Sequence, residues 1–230
     1  MPIKAVQRFT AWSFSRLSDY EDCPFKAKLK HLDKKREPDS PAMKRGTDIH
    51  ADAQRFSIGA DKVLPESLKL FADEFKGLRK RKSTLAVEQQ VAFNAKWEPV
   101  DWFSPEAWVR VVLDCTFDAT FKGSGLVRVV IDYKTGKIRE ESLEQLDLYA
   151  IASFSNEGGA KIKRCDAELW YLDAGEIKDR SYTREGAEAL KKTWGKRVAP
   201  MMADTTFKPK PGNACRWCFH SKSKGGPCKY

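Results

Sequence analysis

The 230-residue chain is 41% hydrophobic and 32% charged, a globular mixture long enough for one domain with a sizeable core. Its 42 Lys and Arg against 32 Asp and Glu leave a net charge of +10, which favours polyanionic partners because each neutralised phosphate releases counterions. No apolar stretch is long enough for a membrane span, and no apolar region follows Arg8 as in a secretory signal, so a cytoplasmic protein is expected.

Ser13 to Leu32 reads as two short helices divided at Cys23–Pro24, since proline suits a first helical turn and breaks an interior one. Pro38 to Pro41 is a turn in which Ser40 caps a helix running to about Phe56. A third helix covers Pro65 to about Lys80, with Leu68, Phe71, Phe75 and Leu78 at helical spacing. The period then changes. Leu85 to Phe93 alternates as a strand, and Trp108 to Phe121 and Leu126 to Lys134 form a hairpin around Lys122-Gly123-Ser124-Gly125. Ser142 opens a crossover helix containing Leu146, Tyr149 and Phe154. Ala167 to Leu172 and Ile177 to Tyr182 make a second hairpin around Asp173-Ala174-Gly175, a last helix spans about Arg184 to Met202, and the tail is irregular. The order predicts a mixed α/β domain.

Three charged residues interrupt the first hairpin: Asp114 after Val111-Val112-Leu113, and Asp132 with Lys134 after Val129-Val130-Ile131. Side chains alternate along a strand, so Asp132 and Lys134 share a face. A loop of Lys122, Gly123 and Ser124 sets Asp114 straight across from Asp132, whereas a two-residue loop without a bulge turns it away. Two carboxylates and an ammonium on one semi-buried face need compensation. Mg²⁺ or Mn²⁺ provides it, and the lysine then orients water or stabilises phosphate charge. The plainer alternative is an Asp–Lys ion pair at a strand end.

Asp114 and Asp132-Tyr133-Lys134-Thr135-Gly136 resemble the core motif of the PD-(D/E)XK nucleases, in the form typical of the RecB-like branch. Gln145-Leu146-Asp147-Leu148-Tyr149 is similar to the family's Q-x-x-x-Y element, and Gly46-Thr47-Asp48-Ile49-His50 to its upstream G-x-x-x-H element. The position three before the metal-binding Asp, usually Gly in the family, is Val111. Cys23-Pro24-Phe25, Cys215-Arg216-Trp217-Cys218 and Cys228 resemble the cysteines with which CRISPR-associated exonucleases and related helicase–nuclease subunits hold a 4Fe–4S cluster. From the residues alone, four thiols suit a cluster or a structural Zn²⁺, and the zinc reading also admits His220. Cys115 and Cys165 lie in strands and read as core.

The resemblance implies a restriction-endonuclease-like fold, with a mixed central β-sheet flanked by helices, as a single domain over 1–230. Segments of about 13–32 and 203–230 would be stapled by the cluster. It implies a DNA nuclease, an exonuclease on single strands or DNA ends, in recombination, repair, phage or CRISPR-linked processing. Asp114, Asp132 and Lys134 are its expected catalytic residues. His50, Asp114, Asp132 and the backbone carbonyl of Tyr133 are its expected Mg²⁺ or Mn²⁺ ligands, with Gln145, Tyr149 and Glu88 in support. DNA is the expected partner, with self-association or recombination or CRISPR proteins as further ones. The alternative is an inactive, iron–sulfur or zinc-stapled DNA-binding subunit.

Overall fold

The computed structural model describes residues 7–81, 83–121, 123, 125–156 and 158–230. The chain forms two compact units, one of Asp39–Lys192 and one made by Met1–Pro38 with Thr193–Tyr230.

The larger unit is built on a six-stranded sheet in the order β2-β1-β3-β4-β5-β6. Its strands are β1 (Leu85–Phe93), β2 (Pro99–Val100), β3 (Val109–Phe121), β4 (Gly125–Lys134), β5 (Arg164–Tyr171) and β6 (Glu176–Tyr182). All neighbours are antiparallel except β4 and β5, which run parallel. That pair needs a crossover, and α5 (Gln145–Ser155) supplies it. The architecture is the mixed α/β one expected, with a central sheet and flanking helices.

Strand alternation sorts the faces of the sheet. Cys115, Val127, Val129, Ile131, Tyr133, Trp170 and Leu172 form one core with Ile49, Ala53 and Phe56 of α3 (Pro41–Ser57) and with Phe75 and Leu78 of α4 (Ala72–Lys80). Helix α5 covers the face bearing Asp132, where Tyr149 bonds Asp132 and Cys165 bonds Ser153 at 3.5 Å. Buried Leu146 and Leu148 through Phe154 make this helix apolar nearly all round, as a helix pressed on a sheet should be.

The hairpin has the expected register. Pairing runs from Cys115 opposite Ile131 to Phe121 opposite Gly125, and one further step sets Asp114 level with Asp132. Lys122 and Ser124 of the expected loop, Lys82, Met1–Val6 and Glu157 lie outside the described residues. Two helices start differently from expectation: Glu66–Phe71 and Glu140–Glu144 are 3₁₀ turns leading into α4 and α5. Strand β2 has only two residues and no periodic signature in the sequence.

In the smaller unit, α1 (Phe14–Asp22) and α2 (Pro24–Ala27) meet at Cys23, and a π-turn follows over Lys28–Leu32. Trp12 stacks on Trp194 at 5.9 Å, and Phe9 meets Phe207 edge-on at 5.8 Å. Arg197 grips Glu21 with a fork of 2.7 and 2.8 Å, and Tyr20 donates to Asp204 at 3.0 Å. These contacts join early and late segments of the chain within one core.

Candidate metal and catalytic site

The hairpin, β1 and α3 bring three possible ligands together. One atom each of His50, Glu88 and Asp114 lies within 4.8 Å of the other two, and this is the one such group of His, Cys, Asp and Glu side chains among the described residues. His50 reaches Asp114 directly, Nδ1 to Oδ2, at 3.2 Å. Its helix approaches the strand end closely: a Cβ placed on Gly46 would lie 3.2 Å from Thr135 Oγ1, tighter than an ordinary contact. Glu88 takes a left-handed backbone, φ 49°, in mid-strand. Its neighbours Val87 and Gln89 keep their pairing to Cys115 and Leu113, so Glu88 stays level with Asp114. Such an outlier in a non-glycine residue persists only where surrounding structure holds it, and functional sites are where these collect.

Beside this group, four side chains close a ring. Lys134 Nζ sits 2.5 Å from Asp132 Oδ2 and donates to Gln145 Oε1 at 2.9 Å. The Gln145 amide donates to the Tyr149 hydroxyl, which donates to Asp132 Oδ1 at 2.5 Å. Gln145 and Tyr149 lie one turn apart on α5, which is why one helix face offers both. Both oxygens of Asp132 are engaged in the ring, and Asp132 is not in the three-ligand group. Tyr133 donates its backbone N–H to Asp114 at 2.9 Å, while its ring packs against Phe75 and Trp170 in the core.

Charge is unbalanced here. Burial pushes the Asp114 carboxyl well above the usual carboxylate range, the Asp132 charge adds to the rise and Glu88 adds more, against the opposing Tyr133 N–H. Burial likewise raises the Tyr149 hydroxyl, reinforced by Asp132, so it remains a proton donor. A hard divalent cation suits this donor set of two carboxylates and an imidazole, and would remove the repulsion that makes ionised Asp114 unfavourable.

A model of the PD-(D/E)XK nuclease superfamily matches residues 11–222. The chain belongs to the PD-(D/E)XK nuclease superfamily. Membership implies a metal-dependent nuclease, a hydrolase acting on DNA. No curated protein matches the chain. Among solved structures, a crystal structure of the protein SSO0001 is similar at 12% identity and TM-score 0.40, covering 99% of this chain and 91% of that one. No helix is long and apolar enough to cross a membrane among the described residues.

The four cysteines that resemble cluster ligands all fall in the smaller unit. Cys23, Cys215, Cys218 and Cys228 are half-buried free thiols, whereas Cys115 and Cys165 are buried, with thiols pushed up by burial to about 12. Cys23 Sγ accepts the Lys210 backbone N–H at 3.3 Å, and Cys215 Sγ accepts that of Gly212 at 3.4 Å. No three of these sulfurs lie within 4.8 Å of one another among the described residues. His220 is buried, and burial lowers its pKa. Sequence reasoning overlooked a second charged cluster in this unit, in which Asp19 accepts from Lys30 at 2.6 Å and His31 at 2.8 Å and pairs with Lys26 at 3.0 Å. Its members belong to three short segments, divided by the helix break at Cys23–Pro24.

Proposed function

We propose that the protein is a DNA nuclease of the RecB-like branch that hydrolyses phosphodiester bonds with Mg²⁺ or Mn²⁺, as an exonuclease on single strands or DNA ends. The observation carrying this reading is the His50, Glu88 and Asp114 group within 4.8 Å, beside the Lys134–Asp132 pair. In this reading His50, Asp114, Asp132 and the Tyr133 carbonyl hold the metal, and Glu88 supports them. When bound, the ion supplies Lewis acidity and positive charge next to the scissile phosphate. Lys134 stabilises the charge that builds on the phosphate or takes a proton from the attacking water. Its bonds to Asp132 and Gln145 support this by limiting where the ammonium can go. Tyr149 orients Asp132 from the opposite side.

The smaller unit completes the reading. Cys23, Cys215, Cys218 and Cys228 hold a 4Fe–4S cluster that staples about 13–32 to about 203–230 within one nuclease domain. Two backbone N–H groups aimed at cysteine sulfur support thiolate ligands there. Trp217, 75% exposed in the basic tail, offers a ring for an unpaired base.

Anaerobic purification with metal analysis, then digestion of end-labelled single- and double-stranded DNA with Mn²⁺, tests both parts. The expected result is iron near four per chain and cleavage lost in Lys134→Ala. DNA binding without any cleavage by the wild type would return the protein to the inactive-subunit reading, and zinc without iron would replace the cluster.

A further inference from the structure

The turn between β5 and β6 lies outside every motif recognised in the sequence, yet it touches both sides of the metal and lysine group. Asp173 Oδ2 accepts the Gly136 backbone N–H at 2.6 Å and Arg45 Nη1 at 2.9 Å, and Asp173 Oδ1 accepts Arg45 Nη2 at 2.5 Å. Next to it, Leu172 donates its backbone N–H to the Lys134 carbonyl at 2.9 Å. The Leu172–Asp173 dipeptide therefore holds the strand end on both sides of Thr135. Arg45 precedes Gly46 on α3, little more than one helical turn before His50. One carboxylate thus joins the element carrying His50 to the one carrying Lys134.

A lone exposed ion pair would not sustain this argument, because such pairs contribute little. Here the geometry is the exception: a two-pronged guanidinium fork fixes direction as well as distance. The third donor is a backbone N–H in a residue with φ 84°, so losing its acceptor would free the turn that follows Lys134. The residue after Arg45 also lies close to this strand end, where a Cβ on Gly46 would come 3.2 Å from Thr135 Oγ1.

We propose that Asp173 is a positioning residue, a clasp that sets the spacing between α3 with His50 and the β4 end with Lys134. Its effect on cleavage rests on the nuclease reading; its effect on cation binding does not. The test measures Mn²⁺ binding to the full chain by calorimetry, and kcat and KM on end-labelled DNA. The variants are Asp173→Ala, Asp173→Asn, Arg45→Met and Arg45→Lys.

Asp173→Ala should weaken Mn²⁺ binding about 10-fold and lower kcat about 10-fold, the lower end for residues that orient metal ligands. KM for DNA and the melting midpoint in EDTA should change little. Asp173→Asn keeps an oxygen for Gly136 and should retain more of both. Arg45→Lys cannot form the fork and should fall between wild type and Arg45→Met. Arg45→Met combined with Asp173→Ala should be no worse than Asp173→Ala alone, as expected of one shared contact. Wild-type Mn²⁺ affinity and kcat in all four variants, with only lower melting, would overturn the clasp. Should Asp173→Ala not fold, the two Arg45 variants decide alone. A wild type that binds Mn²⁺ without cutting DNA defeats the nuclease reading, and the affinity series still judges the clasp. A wild type that does neither defeats both.

Discussion

Asp19 and Asp114 are equally hidden, each 8% exposed, and they sit in different units of the chain. Burial alone would raise both. Around Asp19, hydrogen bonds from His31, Lys30 and Lys26 outweigh burial and hold the carboxyl well below its usual range. Around Asp114, burial is reinforced by the charges of Asp132 and Glu88, and the carboxyl moves the other way. One buried acid is matched by cations from its own chain. The other faces two further carboxylates that the Tyr133 N–H and Lys134 offset only in part, an arrangement that a cation from solution would relieve. Depth in the fold does not distinguish a structural acid from a candidate ligand; its company does.

Removing each charge should give opposite results. Asp114→Asn should lower Mn²⁺-dependent cleavage on the order of 10²- to 10³-fold, the scale for losing one charge-stabilising group. Its melting midpoint in EDTA should hold or rise, because a repelled charge has gone. A fall in that midpoint, with cleavage preserved, would reverse the assignment of Asp114.

Mn²⁺ itself should sharpen the contrast. At a free concentration of about 100 times Kd it should stabilise the wild type by roughly 2.7 kcal/mol. The same shift is expected in Asp19→Asn and should vanish in Asp114→Asn. Equal shifts in all three would put the ion somewhere else.

Asp19→Asn should be mainly a stability variant. Breaking a buried charge cluster costs up to about 3–5 kcal/mol, and the partial exposure of Lys26 and Lys30 moves this toward about 1–3 kcal/mol. The pH dependence follows from the direction of each shift. Asp19 has a lower pKa folded than unfolded, so its contribution is complete above the ordinary carboxylate range and is lost as pH falls. Asp114 has a higher pKa folded, so its penalty grows as pH rises through and beyond that range. In EDTA, denaturation should therefore show wild type above Asp19→Asn and at or below Asp114→Asn at neutral pH, with both gaps narrowing in acid. A gap that widens in acid would contradict the sign.

What the sequence made legible was what periodicity controls. Alternation along β3 and β4 fixes which face Asp114, Asp132 and Lys134 share, and helical spacing puts Gln145 and Tyr149 on one side of α5. His50 was found by resemblance, and its contact with Asp114 depends on the close approach at Gly46. The Asp19 cluster and the Arg45–Asp173 fork have no such signature, because the first spans the helix break at Cys23–Pro24 and the second joins residues 128 positions apart. Nor does composition reveal the 3₁₀ starts at Glu66 and Glu140.

Glu88 is where the two kinds of information part. Its position in a strand was readable; its place level with Asp114 and its φ of 49° were not. A non-glycine residue held there stores about 1–3 kcal/mol, so Glu88→Gly should relieve backbone strain while removing a carboxylate from the three-ligand group. In EDTA this variant should be more stable than Glu88→Gln by about 1 kcal/mol, less whatever glycine adds to the entropy of the unfolded strand. Both variants should bind Mn²⁺ more weakly than wild type, and by similar factors, because both lack the charge. Stability measured by denaturant and affinity measured by calorimetry thus separate the two roles of one residue. If Glu88→Gly gains nothing over Glu88→Gln, the left-handed backbone carries no strain; if Glu88→Gln binds Mn²⁺ as wild type does, the carboxylate faces the ion's site without serving it.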